Sequence, residues 1–156
     1  MRKGIVAFVV LALAIAAMAF AAEDLKSLIL IKNSIPPVTV SNNDNTTGAI
    51  IDRNGYESLT YVIHTATLAD SDVTLTPTIQ ECAIDNCDDV STVVAGQLIG
   101  TVAGATFAAA DDNTVKTIGY KGYKRYSRIV ITPANNSGAA LFGVTAILGH
   151  PKYRPE

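Results

Sequence analysis

Apolar residues recur at every second position within three segments of the chain, residues 56–68, 73–81 and 140–150. This period of two is typical of β-strands that bury one face. The apolar side chains that share a face are Leu59, Tyr61 and Ile63 in the first segment, Val73, Leu75, Pro77 and Ile79 in the second, and Phe142, Val144, Ala146 and Leu148 in the third. Pro77 also suggests that its strand lies at a sheet edge or at a bulge, because proline donates no ladder hydrogen bond.

Other segments predict strands less regularly. Residues 25–32, "LKSLILIK", form a short apolar run that predicts a first strand, and the following Pro36-Pro37 pair breaks it. Residues 88–110 are rich in small residues and favour short irregular strands, with a helix possible near residues 90–98. "VKTIGY" and "RYSRIVITPA" predict consecutive strands joined by a hairpin turn at "KGYK", residues 121–124.

Polar turn sequences rich in Asn, Asp and Gly separate these segments, which gives about seven or eight short strands. The pattern predicts an all-β fold, a single antiparallel β-sandwich or jelly-roll-like domain over residues 22–156. The sequence contains no alternation of strands with helices, no heptads and no repeat of solenoid length.

The first residues form a separate apolar segment. Arg2 and Lys3 precede an uncharged run over residues 4–22, and Ala19-Phe20-Ala21 fits a small-x-small cleavage pattern. Residues 1–21 therefore predict a signal peptide cleaved near Ala21, which would make the protein exported. Two alternatives stay open: residues 4–22 remain as a membrane anchor, the only membrane contact we expect, or they form a hydrophobic helix or arm buried in an assembly.

The overall charge disfavours a nucleic-acid partner. The chain of 156 residues has a formal net charge of −2, and only 17% of its residues are charged. Cleavage near Ala21 would remove two basic residues and make the protein more acidic. Nucleic-acid-binding domains are usually strongly basic, so we expect no nucleic-acid partner.

The chain has two cysteines, Cys82 and Cys87, with four residues between them. They predict a disulfide if the protein is exported to an oxidising compartment, and free thiols otherwise. Two cysteines are too few for a tetrahedral zinc site, and His64 and His150 lie far from them in sequence.

Basic and aromatic residues concentrate in two places. The first is Tyr120, Lys121, Tyr123, Lys124, Arg125 and Tyr126, and the second is His150, Lys152, Tyr153 and Arg154 near the C-terminus. The first cluster can be a solvated hairpin, a surface that docks on an acidic protein, or a nucleic-acid patch. The second can be a binding arm or a frayed terminus. Both clusters are the candidate protein-interface residues.

No pattern predicts catalysis. The sequence lacks a nucleophile elbow, a phosphate-binding loop and a dinucleotide fingerprint. Asp-rich stretches at residues 70–72, 85–89 and 111–112 could hold Ca²⁺, but none has the EF-hand spacing, and turn formation explains them more simply. We therefore expect no enzyme, no cofactor and no metal site.

An ordered set of motifs resembles a group of small structural proteins encoded in the head gene clusters of tailed phages and prophages. The motifs are "TGAIIDRNGYESLTYVI", then "QLIGTVAGATFAAADDNTVKTIGYKGYKRYSRIVITPA", then "AILGHPKYRPE". The resemblance covers residues 47–156 and implies a β-sandwich virion protein, a head decoration or minor capsid component without catalytic residues. It implies that the partner is a major capsid protein or other copies of this chain, in a homo-oligomer. The signal-like segment and the cysteine pair depart from that group and favour the alternative, an exported envelope or extracellular β-sandwich that binds partners or forms filaments.

Overall fold

A computed structural model describes residues 24–153, so residues 1–23, which include the whole apolar segment, and residues 154–156 lie outside the described part. The elements are α1 (Leu25–Leu28), β1 (Ile29–Val40), β2 (Thr46–Thr47), β3 (Ile51–Asp52), β4 (Tyr56–Leu68), β5 (Thr74–Cys82), β6 (Ser91–Thr92), a 3-10 turn (Ala95–Gln97), β7 (Leu98–Ile99), α2 (Val102–Ala105), β8 (Phe107–Ala108), β9 (Val115–Tyr120), β10 (Tyr126–Ala134) and β11 (Ala140–Pro151). The structure has more strands than the seven or eight predicted, because a strand of two residues is too short to show alternation in the sequence.

The strands form two antiparallel sheets. One has the order β1-β11-β4-β9-β7, and the other has the order β2-β10-β5-β6, with β3 also beside β10 and β8 beside β5. Apart from β2 to β3 and β5 to β6, every connection between consecutive strands crosses from one sheet to the other. The predicted antiparallel β-sandwich is therefore confirmed.

The three alternating segments supply the core between the sheets. In the first sheet, β4 and β11 pair so that Leu59 lies opposite Leu148, Tyr61 opposite Ala146 and Ile63 opposite Val144. All six side chains are buried, as are Leu75 and Ile79 of β5. The predicted inward faces of these strands are correct, because alternation in sequence reports directly which face is buried.

The prediction for residues 25–32 and the following prolines was wrong in part. The segment begins as a helical turn, in which the Asp24 side chain accepts a hydrogen bond from the Lys26 N–H. The strand starts only at Ile29 and continues past Pro36 and Pro37, with register shifts between Asn33 and Val38. β1 lies at a sheet edge, where bulges tolerate residues without an N–H.

Pro77 lies where β5 has no partner on one side, in agreement with the predicted edge position. It lies in β5 opposite Ile131 of β10. On the other side of β5, β6 pairs only with residues 80 and 81, and β8 pairs only with residues 74 and 75. The proline therefore lies at a gap between two short strands, where no ladder hydrogen bond is required of it.

The predicted hairpin at residues 121–124 was wrong. β9 pairs with β4 and β7 in the first sheet, whereas β10 pairs with β5, β2 and β3 in the second. Residues 121–125, named here the crossover loop, therefore carry the chain from one sheet to the other at one end of the sandwich. The local sequence suits a hairpin and a crossover between sheets equally well. Only the distant strands with which β9 and β10 pair distinguish the two connections.

Candidate protein-docking site

Arg53 holds the crossover loop in place from the turn between β3 and β4. Its Nη1 donates hydrogen bonds to the carbonyl oxygens of Gly122, at 2.9 Å, and Lys124, at 3.1 Å. Its Nη2 donates to the Glu57 carbonyl at 3.2 Å, and its backbone N–H donates to the Arg125 carbonyl at 3.0 Å. One guanidinium thus fixes two segments that are far apart in sequence.

Tyr120 supports the loop from inside and is not part of the surface. Its side chain is 1% exposed, and its ring lies under the Arg53 guanidinium, 4.6 Å from centroid to Cζ. The hydroxyl donates to the Glu81 carboxylate and accepts a hydrogen bond from the Lys124 N–H at 3.2 Å. Burial, with the hydrogen bond to Glu81, raises the pKa of Tyr120 to about 12, so the hydroxyl keeps its proton at neutral pH.

Two of the predicted basic residues are already paired within the chain. Arg125 contacts Asp52 through Nε at 2.9 Å and Nη2 at 2.7 Å, and this hydrogen bonding lowers the pKa of Asp52. Lys124 Nζ lies 3.1 Å from the Ser91 hydroxyl and 3.6 Å from the Asp89 carboxylate. Charges neutralised in this way contribute little to phosphate binding, which disfavours the nucleic-acid interpretation.

The exposed side chains of the crossover loop are Lys121, Tyr123 and Arg125, and Arg125 is paired with Asp52. Tyr123 is 94% exposed, although aromatic side chains usually bury much of their surface. Arg125 stacks over the ring of Tyr126, with 5.0 Å between Cζ and the centroid, so Tyr126 is partly covered. Of the first predicted cluster, Tyr123 is therefore the side chain best placed to enter a partner's pocket.

The structure brings Lys152 of the C-terminal cluster to the same end of the sandwich. Lys152 and the crossover loop line one open cleft of about 630 Å³, together with residues 53–57. The Lys152 N–H donates to the Gly55 carbonyl at 2.8 Å, and Tyr153 is 85% exposed. His150 shares a hydrogen bond of 2.9 Å with the Ser58 hydroxyl. Arg154 lies outside the described residues.

The cysteine pair lies beside this end. The Cα atoms of Cys82 and Cys87 are 5.1 Å apart, a separation that a disulfide can span, and both side chains are buried. The bond itself stays a prediction. Asp89 follows the pair and accepts hydrogen bonds from the Ala83 N–H at 2.9 Å and the Ile84 N–H at 3.3 Å, which fixes the carboxylate that faces Lys124.

The acidic residues of the loops act as turn-forming acceptors. Asp111 accepts from the Ala108 N–H at 2.8 Å and pairs with Lys116 at 2.8 Å, and these contacts lower the pKa of its carboxyl. Asp70 accepts from the N–H groups of Ser137 and Gly138, which likewise lowers its pKa. Within residues 24–153, no three His, Cys, Asp or Glu side chains converge as metal ligands would.

Sequence reasoning missed Arg53, and it assigned Gly122 to a hairpin turn. Two of the three carbonyl partners of the Arg53 guanidinium lie 69 and 71 residues away, so no local pattern marks this residue. A Cβ at Gly122 would overlap the buried ring of Tyr120, so this glycine allows the loop to approach the core closely. No helix between residues 24 and 153 has the length and apolar character needed to cross a membrane.

Comparison with known proteins finds likeness of fold only. No protein-family model matches the chain, and no curated protein matches its sequence. Among solved structures, the PBSX exported protein XepA aligns with a TM-score of 0.54 at 14% identity over 88% of this chain. This chain spans 42% of the length of XepA.

Two further structures align less well. The SPBc2 prophage-derived protein YomS gives a TM-score of 0.44 at 10% identity, over 78% of this chain and 93% of that one. A chain of the cyanophage Pam1 capsid gives 0.47 at 14% identity, over 85% of this chain and 93% of that one. Neither of these two alignments carries an inference about the role or the partners of this chain.

Proposed function

We propose that this chain is a non-enzymatic structural protein of a phage or prophage particle, a capsid decoration or minor head protein. The observation that carries the proposal is the alignment of 88% of the chain with the PBSX exported protein XepA. The motif order over residues 47–156 favours the same group independently of the alignment. The partner is a major capsid protein or other copies of this chain.

The strand order supports assigning the fold to the jelly rolls. β1-β11-β4-β9 faces β2-β10-β5-β6, and the chain passes from one sheet to the other at most connections. Jelly rolls are double-sheet folds of this kind and are common in viral capsid domains. Fold alone does not define function, so this assignment adds to the proposal without carrying it.

In this proposal, the protein docks on its partner through the cleft between the crossover loop and Lys152, which we name the docking end. Arg53 and Tyr120 brace this end from inside, so little conformational entropy is lost when a partner binds. Tyr123 lines this cleft, and Tyr153 directly follows Lys152 in the chain. Both tyrosines are almost fully exposed and present large aromatic surfaces, which are favoured at the centres of protein interfaces. The paired charges of Arg125 and Lys124 form a polar rim.

Alanine substitution of the exposed tyrosines tests this docking end. Tyr123→Ala and Tyr153→Ala should each reduce the amount of protein bound to purified particles, by about tenfold if the ring enters a pocket. Thermal unfolding should be unchanged, because neither ring packs in the core. Val94→Ala is the control, since Val94 is exposed on the connection between β6 and β7. Wild-type occupancy by both tyrosine variants would overturn the docking assignment.

A second candidate function is an exported, extracellular β-sandwich that binds a partner or forms filaments. The alignment with a protein described as exported favours it, together with the signal-like residues 1–21. Intact mass of the natively produced protein distinguishes the candidates. A chain that begins near Ala22 and accumulates free in the medium supports export, whereas full-length protein within particles supports the structural role.

A further inference from the structure

The end of the sandwich opposite the docking end is acidic. It is formed by four connections between strands, residues 41–45, 69–72, 109–114 and 134–139. Hydrogen bonds from residues 136–138 reach Asn42 and Asp70. The Leu68 N–H donates to the Asp112 carboxylate at 2.7 Å, so the connections meet. They contain no Lys, Arg, His or aromatic residue, and their five aspartates are Asp44, Asp70, Asp72, Asp111 and Asp112. We name these four connections the acidic end.

The acidic end keeps most of its charge. Lys116 of β9 pairs with Asp111 at 2.8 Å, and among residues 24–153 no other aspartate of this end has a basic partner within 4 Å. Backbone N–H groups lower the pKa of Asp70, so its carboxyl is ionised at neutral pH. Asp44 and Asp72 are exposed to solvent. A partner that meets this end therefore faces a net negative charge.

The cleft of the docking end carries the opposite charge. Four of the side chains that line it are basic, and one, Glu57, is acidic. Lys124 and Arg125 are paired with carboxylates that do not line the cleft. Lys152 in the cleft and Lys121 at the start of the crossover loop are exposed, and within the described part of the chain neither has a carboxylate within 4 Å. Both can pair with carboxylates of a partner.

We propose that the docking end binds the acidic end of a second copy of this chain, so that copies join head to tail. The inference rests on the docking end of the proposed function and names its partner. The chain has a formal charge of −2, so two copies that meet without regard to orientation repel each other. Contact between the cleft and the acidic end brings opposite charges together, which selects this orientation.

The two ends can bind at the same time because they lie at opposite ends of the same strands. β4 pairs with Pro151 at its first residue and with Ala140 at its last. Its 13 residues span on the order of 40 Å, several times the Debye length of about 8 Å, so one end does not cancel the charge of the other. The acidic end has only small side chains, which leave room for Tyr123. Head-to-tail contacts are heterologous and repeat as a row unless their rotation closes a ring.

Sedimentation of the natively produced protein, over a range of concentrations at low salt and without particles, tests the proposal. Wild-type protein should form dimers and larger species, and added salt should dissociate them. The docking-end variant Lys121→Gln/Lys152→Gln and the acidic-end variant Asp44→Asn/Asp72→Asn should each weaken self-association by about tenfold or more. All four side chains are exposed, so the fold should persist, which far-UV circular dichroism checks.

A mixture of the two variants in equal amounts tests the head-to-tail arrangement. It should form dimers and nothing larger, because the acidic end of the docking-end variant and the docking end of the acidic-end variant are both intact. Asp85→Asn/Asp88→Asn is the matched control, the same substitution at two exposed residues that neither line the cleft nor belong to the acidic end. The control should associate at least as strongly as the wild type.

Three results would overturn the proposal: a wild-type protein that stays monomeric at low salt, a control that associates as weakly as the acidic-end variant, or a mixture of the two variants that stays monomeric. None of them bears on the particle role. That role fails instead if the chain is absent from purified particles, so the two failures are distinguishable.

Discussion

Arg53 is the residue that holds the crossover loop in place. It satisfies three carbonyl groups, two in the crossover loop and one in β4, and lies over the ring of Tyr120. Sequence reasoning located the exposed members of the cluster, because Lys, Arg and Tyr in a polar turn are visible locally. It did not locate the residue that organises them, because long-range hydrogen bonds leave no local pattern.

Arg53→Ala should destabilise the fold by about 1–3 kcal/mol, since the substitution leaves partly buried carbonyl groups without a donor. Urea unfolding followed by circular dichroism measures the loss. Lys121→Ala is the control, because Lys121 is exposed in the same loop, and its effect should stay within about 0.5 kcal/mol. An Arg53→Ala variant as stable as the control would contradict the bracing role.

Acid should destabilise the protein because several aspartates have lowered pKa values in the folded state. Hydrogen bonds from backbone N–H groups are the largest cause at Asp70 and Asp111. A lowered folded-state pKa contributes stability above the unfolded pKa and loses it as the pH falls through the folded value. Stability should therefore be level above about pH 5 and fall below about pH 4. The double variant Asp70→Asn/Asp111→Asn should flatten this acid-side slope in chemical unfolding, and an unchanged slope would refute the assignment.

At the scale of elements, the sequence predicted the strands but not how the chain passes between them. β4, β5 and β11 were predictable because their alternation reports a buried face. The connection from β9 to β10 was not, because a short polar loop with a glycine suits both a hairpin and a crossover. The pairing of β10 with β5 decides between them, and that pairing joins segments that are distant in sequence.

Gly122→Ala tests the close approach of the crossover loop to the core. The new methyl would overlap the ring of Tyr120, which is buried and cannot move aside freely. The substitution should cost about 1–3 kcal/mol of stability, as overpacking usually does. Gly96→Ala is the control, because nothing lies within 4 Å of its Cβ position. Equal melting temperatures for the two variants would contradict the described packing.

The cysteine pair makes a prediction at the same scale. If Cys82 and Cys87 are bonded, the intact mass should rise by about two hydrogens on reduction. Reduction should lower stability only modestly, since the closed loop is short. Reduction should also weaken the hydrogen bonds that hold the Asp89 carboxylate in place, and therefore its contact with Lys124. Two free thiols in protein purified without reductant would exclude the disulfide.

At the scale of the whole molecule, the sandwich presents two different ends. The docking end carries paired charges and an open cleft, whereas the acidic end carries five aspartates and no basic residue. A structural protein of a particle needs a rigid body with more than one contact surface, because it must bind a lattice and often its own copies. The docking end proposed here, with the exposed Tyr123, supplies one such contact surface.

Quantitative mass spectrometry of gradient-purified particles tests the central claim, that this chain is a structural component of a phage or prophage particle. Particles are induced from the cells that encode the chain, and its peptides are counted against those of the major capsid protein. The account predicts that the chain co-sediments with the particles at a fixed ratio that survives repeated purification. Its absence from particles, with the protein recovered only in the medium or the cell envelope, would contradict the account.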